Sequence, residues 1–298
     1  MAARPDATQQ HPCAFGHRSQ YLCGSHNDET AGRTVRIEAL IETLDSSAPR
    51  VLVLQSCDGE KYKPMLDVVE PVNRDYCRNM GYDYKRWDGI KIASLNPFPF
   101  YATTNRVYLI EEELSAGEYD WLLYIDADAV VIDLFKPLDQ FLDSSRAIVA
   151  CRGGDNPEHA WWDLNNGVTL FNLRHPLIHS VLRLWRSEIE SMLASIEADQ
   201  LEVGWDTLPD VQLCDQAHLH RVLQQLGERE LCKIYTGDEY NVFNYDGPFI
   251  RQVLRTEGTS LNERIDSLRA IVETYAPTLL PVTEHTGSSA PETFPPTP

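Results

Sequence analysis

"YDWLLYIDADAVVIDLF", residues 119–135, decides how this chain is read. Trp121 to Ile125 are apolar, and the run ends on two aspartates one residue apart, Asp126 and Asp128. A short apolar run bounded by polar residues suits a buried strand. Side chains at i and i+2 of a strand point the same way, so the two carboxylates are expected to converge. In open α/β sheets, ligands bind beyond the carboxyl ends of strands. Two carboxylates there suit a hard divalent cation, Mg²⁺ or Mn²⁺, which takes oxygen ligands and bridges a diphosphate. The plainer alternative is that they cap the strand and the next turn, where Asp is favoured.

Working outward, strands alternate with helices. "RVLVLQSC" (50–57), "YDYKRW" (82–87), "RAIVAC" (146–151), "GVTLFNL" (167–173) and "LCKIY" (231–235) read as strands. Residues 61–80, 104–117, 176–193 and 215–227 follow helical spacing, three of them stopped by Gly81, Gly117 and Gly227. Pro71 is expected to kink the first helix. On the 176–193 helix, Leu177, Val181, Leu184 and Trp185 are expected to share the buried face. Such alternation means α/β layers around a mainly parallel sheet.

Composition narrows the partners. The net charge is −19 with no basic stripe, which argues against bare nucleic acid or an anionic membrane. Seven scattered cysteines, an odd number, fit reduced thiols and a cytoplasmic location better than a disulfide framework. The first twenty residues lack an apolar core, and no run of about 18 apolar residues occurs, so neither a secretory signal nor a membrane span is expected. Residues 1–33 read as a flexible leader; its Cys13, His17, Cys23 and His26 lack the spacing of a zinc finger. Residues 276–298 are rich in Pro, Ser and Thr and are expected to be disordered. The folded domain is expected over 34–275.

Four stretches occur together in order: "NRDYCRNMGYDYKRW" (73–87), "YDWLLYIDADAVVIDLFKPLDQFL" (119–142), "LNNGVTLFNLRHP" (164–176) and "LCDQAHLHRVL" (213–223). Over about residues 50–255, they resemble retaining glycosyltransferases of the GT-A fold, closest to the galactosyl/mannosyltransferase group, with glycogenin-like features. The resemblance implies a GT-A-type fold with a single Rossmann-like mixed sheet and flanking helices. It implies sugar transfer, a hexose or pentose, from a UDP- or GDP-linked donor to a hydroxyl of a glycan, protein or small molecule, with retention and Mn²⁺ or Mg²⁺ assistance.

It also implies roles. Asp126 and Asp128 would hold the metal. Ser56, in the "QSCDG" loop (55–59), and Tyr62 would meet the base and ribose. Arg106 would reach the donor; as a plain residue it would be an exposed helix charge. Asp163, Asn165 and Gly167 would line the sugar, where the plain reading is a polar turn and a bulge. Asp215 and Gln216 would border the anomeric carbon, the Gln amide stabilising the oxocarbenium-like centre; otherwise Asp215 is a helix N-cap. Trp161 and Trp162 could stack on an acceptor sugar beside "GGDNPEHAWWD" (153–163). One departure stands out: the family's late histidine, its third metal ligand, is missing, and Gln252 occupies the corresponding region. His218 and His220 diverge on a helix and read as structural. A haloacid-dehalogenase-type phosphatase, with Asp126 as nucleophile and Lys233 and Asp238 as partners, is one alternative. A glycosyltransferase-like protein that binds without turnover is the other.

Overall fold

The computed structural model describes residues 48–92, 99–153, 160–203, 214–235, 243, 247–256 and 258–277. All but Ala48 belong to one compact unit, Pro49–Pro298. The leader with Cys13, His17, Cys23 and His26, the end beyond 277, the 154–159 part of the expected acceptor segment and Asp238 lie outside the described residues.

Eight strands and five longer helices are described. In chain order they are β1 (Val51–Cys57), α1 (Lys63–Met80), β2 (Asp83–Asp88), α2 (Asn105–Ala116), β3 (Trp121–Asp126), β4 (Ala129–Val131), β5 (Ile148–Arg152), β6 (Leu164–Asn172), α3 (Ile178–Val203), α4 (Asp215–Leu226), β7 (Cys232–Tyr235), β8 (Ile250–Gln252) and α5 (Leu261–Tyr275). Six strands form one sheet in the order β2-β1-β3-β6-β5-β7. β2, β1 and β3 are parallel, β6 runs antiparallel to both β3 and β5, and β7 is parallel to β5. The sheet is therefore mixed but mainly parallel, as expected: five of its six strands run the same way and β6 alone is reversed. β4 and β8 pair separately, antiparallel.

Strand alternation splits the core between the two faces. Leu52, Leu54, Leu122 and Tyr124 pack with Val107 and Ile110 of α2 and Val181 and Trp185 of α3. Val51, Val53, Trp121, Leu123 and Ile125 face the other way, onto Tyr76, Phe141, Phe243 and Phe249. A third cluster joins α1 to α5 through Met65, Leu66, Val69, Ile265 and Leu268.

Most helix boundaries follow the sequence signals. Gly81, Gly117 and Gly227 each stop a helix in the left-handed conformation. α1 runs through Pro71 without ending. The buried stripe of α3 is displaced from the expected one: Ile178, Val181, Leu182, Trp185 and Ile189 are buried, Leu184 is half-buried, and Leu177 is exposed.

α5 was not expected, although its signal is present. Ser260 accepts from the Glu263 N–H, and Glu263 reaches back to the Ser260 N–H, a capping box ahead of Ile265, Leu268 and Val272. Ser260→Ala is expected to cost about 1 kcal/mol, read as a lower urea midpoint with an unchanged m-value. No loss would mean that packing on α1 alone holds α5.

The five described cysteines, Cys57, Cys77, Cys151, Cys214 and Cys232, form no disulfide with one another. Among the described residues, no helix is long and apolar enough to cross a membrane.

Candidate active site

A cavity of about 920 Å³ opens at the carboxyl ends of β1 and β3, within the size range of small-molecule sites. Nine of the ten sequence-predicted site residues line it: Ser56, Tyr62, Arg106, Asp126, Asp128, Asn165, Gly167, Asp215 and Gln216. Asp163 does not; it sits buried at the start of β6, close enough to His220 to act on its charge.

The aspartates converge for a different reason than strand alternation. β3 ends at Asp126, residues 127 and 128 form a turn, and β4 begins at Ala129. Pairing of β4 with β8 fixes that turn, with the Val253 N–H donating to the Asp128 carbonyl at 2.9 Å. A buried polar network holds it from below. Gln55 Nε2 donates to the Asp126 carbonyl at 3.0 Å. Asn73 Nδ2 donates to Gln55 Oε1 at 2.8 Å and to the Ala129 carbonyl at 3.1 Å. Asn73 Oδ1 accepts from the Val131 N–H at 2.8 Å. With its polar groups satisfied, such a network specifies one arrangement. Gln55 and Ser56 are strand residues of β1 rather than part of a loop.

Arg106 ties the site together. It is buried, not an exposed helix charge. Its Nη2 meets Asp126 Oδ1 at 2.5 Å and its Nη1 meets Asp215 Oδ2 at 3.0 Å. Burial disfavours the guanidinium charge, but Asp126 and Asp215 more than offset this and raise its pKa. Its guanidinium also lies over the Tyr124 ring, 4.5 Å from the centroid. A second arginine, Arg264 of α5, pairs with Asp128 Oδ2 and donates from Nε and Nη2 to the Val253 carbonyl at 3.1 and 3.0 Å.

Gln252 reaches the acidic pair from β8, opposite Ala129. Its Nε2 donates to Asp128 Oδ1 at 3.0 Å and to Asp126 Oδ2 at 3.3 Å. Its Oε1 accepts from Asn165 Nδ2 at 2.9 Å, and Asn165 Oδ1 accepts from the Gly167 N–H at 2.9 Å. A backbone N–H can only donate, so the direction of the whole relay follows from Gly167. Gly167 is also a matter of space: a Cβ there would stand 2.2 Å from Gln252 Nε2. Asn165 and Gly167 lie inside β6, not in a turn. Gly167→Ala is expected to push the Gln252 amide off the carboxylates and to cost about 1–3 kcal/mol, measured by urea unfolding. A neutral result would show that Gln252 has room to move.

Asp215 and Gln216 open α4, but the N-cap is Cys214, so Asp215 is the first helical residue. The Trp185 indole N–H donates to the Asp215 carbonyl at 3.0 Å, anchoring this end of α4 on α3. Asn166 Nδ2 donates to Asp215 Oδ2 at 2.9 Å, and the Asn166 N–H donates to Gln216 Oε1 at 3.0 Å. The amide oxygen of Gln216 is thereby engaged, leaving its NH₂ to meet a ligand. Burial pushes the Asp215 carboxyl up to about 6, against the pull of Arg106. Burial also raises Asp126 and Asp128, with Asp126 adding repulsion at Asp128.

The remaining expectations separate. The Ser56 hydroxyl and the Tyr124 hydroxyl are 2.5 Å apart, buried at the cavity wall. Tyr62 lies half-buried at the rim, its N–H held by Asp58 Oδ1 at 2.8 Å. Trp161 and Trp162 pack against the core, and Trp162 lies against His220, 5.4 Å between ring centres. His218 is buried 3.6 Å from Glu188, and His220 bonds the Leu164 backbone, so both are structural as read. Lys233 lies near Asp143, at 3.7 Å, and does not line the cavity, which removes a partner the phosphatase reading needs. Sequence reasoning missed Arg264, Gln55, Asn73 and Tyr124. For Arg264 the signal was the capping box just before it.

The donor set bears on a cation. Asp126 keeps 33% of its side chain exposed and Asp128 13%, so the acidic pair still reaches the cavity. Among the described residues, no cluster of three or more His, Cys, Asp or Glu side chains can hold a metal. Gln252 stands in the expected third position but turns a donor toward it. The residues fit a Mg²⁺-like ion held by two carboxylates, its other places left to water and phosphate oxygens.

No family model and no curated protein matches the sequence. Solved structures do resemble the fold. The crystal structure of a glycosyltransferase involved in the glycosylation of the major capsid of PBCV-1 aligns with a TM-score of 0.51 and 16% identity, over 74% of this chain and 100% of that one. Weaker likenesses are glycosyltransferase GlyE of Streptococcus pneumoniae TIGR4 in its apo form (TM-score 0.41, 14% identity, 77% of this chain and 63% of that one) and galactosyltransferase LgtC with donor and acceptor sugar analogs (0.38, 13%, 74% and 95%). The chain has the mixed α/β fold of GT-A-like glycosyltransferases.

Proposed function

We propose that this protein is a glycosyltransferase that moves a sugar from a nucleotide-diphosphate donor to an acceptor hydroxyl. One observation carries the reading: Asp126, Asp128, Asp215, Arg106 and the Asn165–Gln252 relay meet on one cavity at the carboxyl ends of β1 and β3. This is where open α/β sheets take ligands. The donor is UDP- or GDP-linked, the sugar a hexose or pentose, and the outcome retention, as the sequence resemblance implies.

Negative charge builds on the leaving diphosphate as the glycosidic bond breaks. A Mg²⁺ or Mn²⁺ ion held by Asp126 and Asp128 would neutralise it as a Lewis acid. Arg106 keeps the Asp126 and Asp215 carboxylates in place through two guanidinium contacts. Asp215 is the anion available to the positive charge that develops at the anomeric carbon. Gln216 offers its NH₂ to a sugar hydroxyl or the leaving oxygen, because Asn166 holds its carbonyl. Ser56 and Tyr62 border the side of the cavity that suits base and ribose.

A thermal-shift panel of UDP- and GDP-linked hexoses and pentoses, each with Mn²⁺ and with chelator, tests the reading, because ligand binding raises apparent stability. A shift with one donor, followed by release or transfer of its sugar, is the expected result. The reading is wrong if no donor shifts the melting curve and no sugar is released under either condition.

A further inference from the structure

The acidic pair is not bare. Asp126 is contacted by Arg106 and Gln252, and Asp128 by Arg264 and Gln252. Every carboxylate oxygen of the pair thus already accepts from a guanidinium or an amide. Three carboxylates, Asp126, Asp128 and Asp215, face two guanidiniums, Arg106 and Arg264. Fully ionised, this cluster keeps one negative charge, little to hold a free dication stripped of part of its water. Gln252 does not correct the deficit, because the relay from the Gly167 N–H turns its NH₂ toward the carboxylates.

A nucleoside diphosphate changes that balance. It brings two or more negative charges into the same cavity, which Arg264 and Ser260, the N-cap of α5, also line. Its phosphate oxygens supply ligands that the protein lacks, and Arg264 has a further guanidinium nitrogen, Nη1, to offer them.

We propose that Arg106 and Arg264 are the resting counter-ions of the acidic pair, so that a divalent cation binds this site only jointly with a nucleoside diphosphate. The inference rests on the glycosyl-transfer reading and adds to it two positioning residues, Arg264 and Gln252, that set cation affinity. Binding of the two ligands is then reciprocal: each strengthens the other by the same factor.

The test is Mn²⁺ binding to the full chain, followed by the EPR signal of the free ion. Mn²⁺ alone is expected to bind weakly. Adding UDP or GDP, after subtraction of the nucleotide's own Mn²⁺ binding, is expected to tighten it by about tenfold or more. Arg264→Met removes one counter-charge and is expected to bind Mn²⁺ alone more tightly, with a smaller gain from nucleotide. Gln252→His replaces the donor with an imidazole ligand and is expected to change affinity in the same direction, which keeps the test open if the first variant folds poorly. The melting temperature of both variants is expected to rise with Mn²⁺ alone, while that of the wild type does not. Equal Mn²⁺ affinity with and without nucleotide, or no gain in either variant, overturns the inference. So does nucleotide binding that is as strong in chelator as in Mn²⁺, a result that leaves glycosyl transfer standing. Failure of both nucleotides to bind under any condition sinks both readings together.

Discussion

Arg106→Met is expected to lower stability by about 3–5 kcal/mol, the cost of breaking a buried charge pair from one side. Methionine matches much of the arginine volume, so little of the loss comes from a cavity. The loss comes from Asp126 and Asp215, which lose the guanidinium that serves both at 2.5 and 3.0 Å and must either stay charged in a cavity wall or take up a proton. Urea unfolding measures it. Neutralising Asp215 as well should recover part of the loss, because the two residues share one network and their effects do not add. The double variant Arg106→Met/Asp215→Asn is therefore expected to be more stable than Arg106→Met alone. A single-variant loss below about 1 kcal/mol would mean that the pair behaves like a solvated surface bridge.

Asp128→Asn is expected to do the reverse, costing activity and sparing the fold. Loss of one carboxylate from the cation site removes several kcal/mol of transition-state stabilisation, and about 4 kcal/mol corresponds to roughly 10³-fold in kcat/KM. Stability is a separate matter. Burial and Asp126 hold the Asp128 carboxyl above its usual pKa. The folded state therefore binds a proton more readily there than the unfolded state does. An acid shifted this way is destabilising when ionised, and that penalty is present above the folded pKa and fades as pH falls toward the unfolded one. The neutral asparagine removes it, at the expense of the charge facing Arg264. The ligand-free melting temperature at neutral pH is thus expected to stay within a few degrees of wild type. A large drop in ligand-free stability would mark Asp128 as a structural residue.

How much of this was legible in the sequence varies with the range of the interaction. The strand before Asp126, the helix stops at Gly81, Gly117 and Gly227 and the start of α4 at Asp215 depend on local chemistry, and local patterns reveal them. The convergence of Asp126 and Asp128 was expected, but from strand alternation. In the protein it comes from a turn that Gln55, Asn73 and the β4–β8 pairing hold, partners 18 to 123 residues apart. Arg106 read equally well as an exposed helix charge, because its spacing says nothing of two carboxylates, 20 and 109 residues away, that need it. Gln252 was noticed only as the residue standing where a histidine was expected.

The sequence by itself determined the alternating α/β layers, the apolar strand that ends on two carboxylates, and the nine cavity residues that short motifs could carry. Short-range periodicity and turn chemistry suffice for these. Only the tertiary structure decided which charges compensate one another and which way each amide faces. Gln252 donates to the acidic pair because Gly167, 85 positions earlier in the chain, starts a relay with a backbone N–H that cannot accept. Arg264 neutralises Asp128 because α5 packs on α1 beside the cavity. Both depend on distance and hydrogen-bond direction in three dimensions, quantities that residue order does not contain.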